Sequence, residues 1–164
     1  MGSVRHVHPV NEIRIMRDDT VGRPMEILLI EDSLSDARLT IEALRDGQIK
    51  HRLTLVRDGD EALLFLRRAG SFAMAPRPDL ILLDLKLPKK GGREVLDAIR
   101  ASQDLMRIPV VVLTVSKEGE KRLRDENLQV ESYLIKPVDV DQFLLAVRQL
   151  NSFWRSDIIL PPLT

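Results

Sequence analysis

The chain has no cysteine, so disulfides, thiolate nucleophiles and cysteine-based metal centres are excluded. No excess charge of either sign is present either: Lys plus Arg and Asp plus Glu stand at 25 each. A protein that blankets nucleic acid needs a basic surplus, so that mode of action is disfavoured for the chain as a whole. No apolar run reaches the roughly 18 residues that span a bilayer, and the N-terminus lacks the apolar stretch of a secretory signal. The expected setting is the cytoplasm, with no membrane contact. Neither G-x-x-x-x-G-K-S/T nor G-x-G-x-x-G occurs, which argues against nucleotide binding. The histidines are only His6, His8 and His51. The first two lack a third metal ligand, and His51, in a polar turn, is expected to be solvated.

What is present is the patterning of one α/β domain of ordinary composition. Residues 1–23 show no clean period and read as a flexible extension. From Met25, Ile27–Ile30 form a short apolar run suited to a strand buried on both faces. A helix follows over Leu34–Leu44, with Leu34, Ala37, Ile41 and Leu44 spaced three or four apart, and Asp46-Gly47 ends it. A second strand runs around Leu53 and Leu55, then a helix with Ala62, Leu63, Leu64 and Leu66 as its apolar residues. Ala69–Pro78 reads as a loop. Leu80–Leu83 is the third strand, and Val95, Leu96 and Ile99 mark the third helix. Ile108–Leu113 is the fourth strand, followed by a polar helix at about Lys117–Glu126 whose one large apolar residue is Leu123. Val130–Ile135 is the fifth strand. The last helix is expected over Val140–Trp154, capped by Asp139 with Gln142 three residues on. Five strands alternating with five helices indicate a doubly wound parallel sheet over residues 24–154, leaving an apolar tail at 155–164.

In such sheets chemistry gathers where the strands end. The first strand ends in Glu31 and Asp32, the third in Asp84, the fourth in Thr114 and the fifth in Lys136. Three carboxylates on one rim repel unless a cation neutralises them. Oxygen ligands of this kind suit Mg²⁺, which takes one or two carboxylates, waters and a phosphoryl oxygen. Asp84 closes an apolar strand and is the best-held nucleophile. A carboxylate can accept a phosphoryl group as an acyl phosphate, a step governed by placement and charge neutralisation. Mg²⁺ on Asp32, Asp84 and a backbone carbonyl would take part of that charge, Lys136 and Thr114 the rest.

The ordered set ILLIEDS (Ile27–Ser33), LILLDLKLP (Leu80–Pro88) with Gly92, VVVLT (Val110–Thr114) and YLIKP (Tyr133–Pro137) resembles the receiver domain of two-component response regulators. The resemblance spans about Pro24 to Phe153 and implies the flavodoxin-like strand order 2-1-3-4-5. It further implies that Asp84 is phosphorylated by a histidine kinase, that Asp32 binds the metal and Glu31 acts mostly through water, and that Lys86 lends its backbone carbonyl. By the same likeness Thr114 moves to the phosphoryl group, Tyr133 turns inward behind it, Lys136 pairs with a phosphoryl oxygen, and Pro137 follows a cis peptide bond. The loop Ala69–Arg77, the segment KKGGREVL (Lys89–Leu96) and the ending FWRSDIILPP (Phe153–Pro162) are similar to the small regulators paired with bacterial phytochromes. In those the domain stands alone and often dimerises.

Two departures stand out: Val115 occupies a place where relatives carry a small residue, and Lys86 a place that tunes dephosphorylation. The tail Ile158–Pro162 either folds back on its own domain or lies across a second subunit, and the second is favoured, giving a homodimer. No DNA-binding module fits after Trp154, so output is expected through an unidentified downstream protein or onward phosphotransfer. A phosphohydrolase of the haloacid dehalogenase type needs an Asp two residues past the nucleophile, where Lys86 stands. A purely docking module would not need Glu31, Asp32, Thr114 and Lys136. A flavodoxin-like electron carrier would need a hydroxyl-rich phosphate loop after the first strand. The chain is thus expected to be a phosphoacceptor and not an enzyme.

Overall fold

The computed structural model describes residues 23–87 and 91–150. Five strands form one parallel sheet in the order β2-β1-β3-β4-β5: β1 Met25–Ile30, β2 His51–Val56, β3 Leu80–Asp84, β4 Val110–Thr114 and β5 Ser132–Ile135. Between them lie α1 Leu34–Asp46, α2 Gly59–Arg67, α3 Gly92–Ala101, α4 Lys117–Asp125 and α5 Val140–Arg148. The chain reverses its direction of winding between β1 and β3, so their adjacent carboxyl ends form the switch point where such sheets open a crevice.

The inner strands β1, β3 and β4 are apolar along most of both faces because helices cover both. Ile27, Leu29, Leu80, Leu82, Val111, Leu113 and Leu134 point to α1 and α5, meeting Ala37, Leu44, Phe143 and Val147. Their neighbours Leu28, Ile30, Ile81, Leu83, Val110, Val112 and Tyr133 point the other way, toward Ala62, Phe65, Val95 and Ile99. Side chains alternate along a strand, so each run supplies two cores at once. Short polar side chains start the helices: Ser33, Asp58, Ser116 and Asp139 each accept a backbone N–H three residues on. These caps occupy otherwise orphaned donors and fix where each helix leaves the rim.

Several boundaries shift from the sequence expectation. The fourth strand begins at Val110 and the fifth at Ser132; Val130 instead closes a turn through its N–H to the Leu128 carbonyl at 2.9 Å. Leu64 is exposed, and Phe65 takes the inward position, its ring edge-on to Phe72 at 5.3 Å. Within the Ala69–Pro78 loop, Gly70–Phe72 form one 3₁₀ turn. Arg23, placed in the extension by sequence, grips the Asp79 carboxylate with both terminal nitrogens at 2.6 and 2.8 Å. The rest of that extension, Phe153, Trp154 and the apolar tail lie outside the described residues.

His51 overturns its expectation. It is the first residue of β2, opposite Met25 in the ladder, and only 5% exposed. Nδ1 lies 2.7 Å from the Ile49 carbonyl oxygen, while Nε2 is buried with no hydrogen-bond partner among the described residues. Its polar sequence neighbours, Lys50 and Arg52, disguised a position that alternates with buried Leu53. Burial pulls its pKa below 6.5, the Ile49 carbonyl only partly opposing. A depressed imidazole contributes stability above 6.5 that is lost as pH falls through the folded value. Melting temperature is therefore expected to drop on acidification from pH 6.5 to 5 more in wild type than in His51→Leu; equal slopes in the two proteins would contradict it.

Candidate functional site

The rim at the carboxyl ends of β1, β3, β4 and β5 collects the residues singled out above. Register places them: Ile30 pairs with Leu83, Asp84 with Leu113, and Thr114 with Ile135. The residues just beyond the strands are pinned by the same ladder, Glu31 N–H donating to the Val56 carbonyl at 3.0 Å and Lys136 N–H to that of Thr114 at 2.7 Å. Glu31, Asp32 and Asp84 each bring a carboxylate oxygen within 4.8 Å of the others. Glu31 is fully buried and Asp84 nearly so, whereas Asp32 is partly open.

One ammonium answers this charge. Lys136 Nζ donates to Glu31 Oε1 at 2.9 Å, Asp36 Oδ2 at 2.9 Å and Asp84 Oδ2 at 3.1 Å. Asp84 Oδ1 accepts the Lys86 backbone N–H at 2.9 Å, so both oxygens of that carboxylate are held. Burial lifts the Glu31 carboxyl to about 7; Lys136 opposes this and neighbouring Asp84 adds to it. Burial alone would lower the Lys136 ammonium, but its hydrogen bonds to Glu31, Asp36 and Asp84 more than reverse that and raise it. The cluster is thus short of positive charge.

Beside Asp84 opens a cavity of about 170 Å³ lined by Lys86, Arg93, Thr114, Val115 and Gly119 among others. Gly119 lines it, and Gly92 packs against Leu85 on its wall. A Cβ on Gly119 would lie 2.7 Å from Thr114 Oγ1, and one on Gly92 would lie 2.4 Å from the Leu85 Cα. The first lets the Thr114 hydroxyl sit against the opening turn of α4. The second lets the segment after β3 lie flat on the start of α3. Tyr133 is 9% exposed, its hydroxyl donating to the Leu123 carbonyl at 3.4 Å, with the Arg124 guanidinium carbon 4.7 Å from its ring centre. Burial raises its phenol pKa, with Arg124 opposing.

A carboxylate rim at this switch point, a buried lysine on three acids and a threonine against the next helix thus stand together. The model of the response regulator receiver domain matches residues 27–148. The chain belongs to that family. Rcp1, a response regulator of Synechocystis sp., is 45% identical over 143 residues, 87% of this chain and 97% of its own length. The bacteriophytochrome response regulator AtBRR has a similar structure, with TM-score 0.74 and 41% identity over 81% of this chain and 96% of that one. The phosphorylated cyanobacterial phytochrome response regulator RcpA matches at TM-score 0.64 and 44% identity, over 85% of this chain and 99% of its own. Rcp1 has also been solved in a Mn²⁺-bound form, which matches at TM-score 0.63 and 45% identity over 85% of this chain and all of that one.

Within this receiver, Glu31, Asp32, Asp84 and Lys136 come together and Thr114 lines the cavity next to Asp84. Tyr133 packs one layer back, against α4. The Lys136–Pro137 bond is cis, as the resemblance implied. Val115 is 61% exposed and lines both the Asp84 cavity and a groove beside Lys136, so it stands at the mouth and not on the floor. Sequence reasoning missed Asp36. Its signal was available: three residues after the capping Ser33, it sits in the first turn of α1 and therefore on the same rim. Among the described residues no helix is long and apolar enough to cross a membrane.

Proposed function

We propose that this receiver is the phosphoacceptor of a two-component phosphorelay, with Asp84 taking the phosphoryl group from the phosphohistidine of a kinase. A carboxylate oxygen of Asp84 bonds to phosphorus as the P–N bond to the donor imidazole breaks, the electron pair leaving with the imidazole. The observation that carries this reading is the three-way grip of Lys136 on Glu31, Asp36 and Asp84, because the adduct gains negative charge where this ammonium is held directly against the Asp84 carboxylate. The donor set of hard oxygens on Glu31, Asp32 and Asp84 fits a divalent ion. Mg²⁺ bound there, with the Lys86 carbonyl as a further ligand, would neutralise developing charge on the phosphoryl oxygens. Lys136 and the Thr114 hydroxyl supply the remaining donors.

The relay from Asp84 is proposed to run through Thr114 and Tyr133 to α4. That helix is weakly anchored: its one buried residue is Gly119, and it is tied down by the Tyr133 hydroxyl and by an exposed bidentate pair of Arg93 with Glu126 at 2.8 Å. Shifting Thr114 and Tyr133 would therefore move it at small cost and alter a protein-binding face. The likeness to AtBRR, a bacteriophytochrome response regulator, and RcpA, a cyanobacterial phytochrome response regulator, supports a phytochrome-type kinase as donor; a cytoplasmic homodimer is proposed as the working form.

The direct test is intact-mass measurement after incubation with acetyl phosphate. One phosphoryl group is expected with Mg²⁺ and none with a chelator in its place. Modification that ignores the chelator, or none under either condition, would sink the proposal.

A further inference from the structure

Lysine has three N–H donors and no more, and in this receiver all three are in use. An aspartyl phosphate on Asp84 places a new, doubly charged acceptor beside the same ammonium. One of the existing bonds must then be exchanged, and the three are not equally easy to give up. The Glu31 side chain is 0% exposed, so losing its lysine would strand it away from water. Asp84 is 11% exposed and carries the adduct itself. Asp36 is 37% exposed and borders a groove of about 160 Å³ between α1 and the Lys136–Pro137 turn, so water can replace the lysine there. Asp36 is also a like charge facing the incoming group across a shared counter-ion.

We propose that Asp36 is a positioning residue that holds the third N–H of Lys136 in the resting receiver and releases it when Asp84 is phosphorylated. The inference rests on Asp84 being the phosphoacceptor. It assigns Asp36 a sign: the residue stabilises the unmodified state against the modified one. Its removal frees a donor for the phosphoryl group and deletes a repelling charge, without touching the nucleophile.

The full chain with saturating Mg²⁺ is compared as wild type, Asp36→Asn and Asp36→Glu. Two readouts are taken: the rate of phosphoryl gain from acetyl phosphate by intact mass, and the affinity for beryllofluoride, a phosphoryl mimic, by calorimetry. Asp36→Asn is expected to raise both by about threefold, the scale of one partly exposed ion pair, with Asp36→Glu close to wild type. A merely structural role would weaken beryllofluoride binding in both variants and slow the reaction, and that result overturns the proposal. Wild-type phosphorylation with Asp36→Asn no faster and no tighter overturns this inference alone. A wild type that gains no phosphoryl group and binds no beryllofluoride removes the reading of Asp84 as well.

Discussion

Asp84→Asn is expected to keep its unmodified mass under acetyl phosphate and Mg²⁺ conditions that load the wild type, a loss of at least ~10²-fold in rate. The substitution preserves shape. The Asn carbonyl can still accept the Lys86 backbone N–H that now reaches Asp84 Oδ1 at 2.9 Å, so the segment after β3 keeps its anchor. What disappears is the anionic oxygen that must bond to phosphorus. Stability should not fall with it. Asp84 is one of the charges that push the Glu31 carboxyl up to about 7, and an amide relieves that repulsion while Lys136 stays paired with Glu31 and Asp36. The variant should melt at or above the wild-type temperature, which separates lost chemistry from lost fold. Phosphoryl gain by Asp84→Asn at the wild-type rate would move the acceptor elsewhere.

How far this outcome was legible beforehand depends on the kind of signal. Residues that end an apolar strand are readable because the run itself reports the strand, and a parallel sheet sends every such end to the same rim. Glu31, Asp84, Thr114 and Lys136 were found that way. Asp36 was not, because it belongs to a helix, and helical residues were sorted by which face they bury. Yet the first turn of α1 leaves the rim at Ser33, and of its residues Asp36 is turned toward Lys136 while Leu34 is exposed. His51 failed for the opposite reason: its neighbours in sequence are charged, but neighbours in a strand point to the other face, and its own face is shared with buried Leu53. Leu64 shows the limit of composition, since a cluster of leucines in α2 does not reveal which of them turns outward. The weak attachment of α4 was visible in part, as a helix with Leu123 as its lone large apolar residue. The compensating contacts, Arg93 with Glu126 and Arg124 over Tyr133, join side chains distant in sequence and needed the fold.

Lys136→Met should be the most damaging single change at the rim in stability, and it should cost chemistry as well. Methionine can fill the volume of the lysine stem, so little packing is lost; the effect isolates the ammonium. Removing one member of a buried ion pair costs about 3–5 kcal/mol because the partner charge is left uncompensated, and here Glu31 is fully buried with Asp84 almost so. Glu31 can escape part of that cost by staying protonated, which sets a pH signature. Its folded value is already raised from 4.5 to about 7, so its neutral form contributes stability below 4.5 that is lost as pH rises through about 7. Deleting Lys136 removes the influence that lowers that value. The gap in melting temperature between wild type and Lys136→Met should therefore be modest at pH 6, wide at pH 8, and narrowed at pH 8 by Mg²⁺. Phosphorylation from acetyl phosphate should fall by ~10²-fold or more, the scale of losing a fixed donor to developing charge. Thermal melts at the two pH values with intact-mass time courses test both halves. A variant that melts like wild type at pH 8 would mean that the three carboxylates are screened by something other than this lysine.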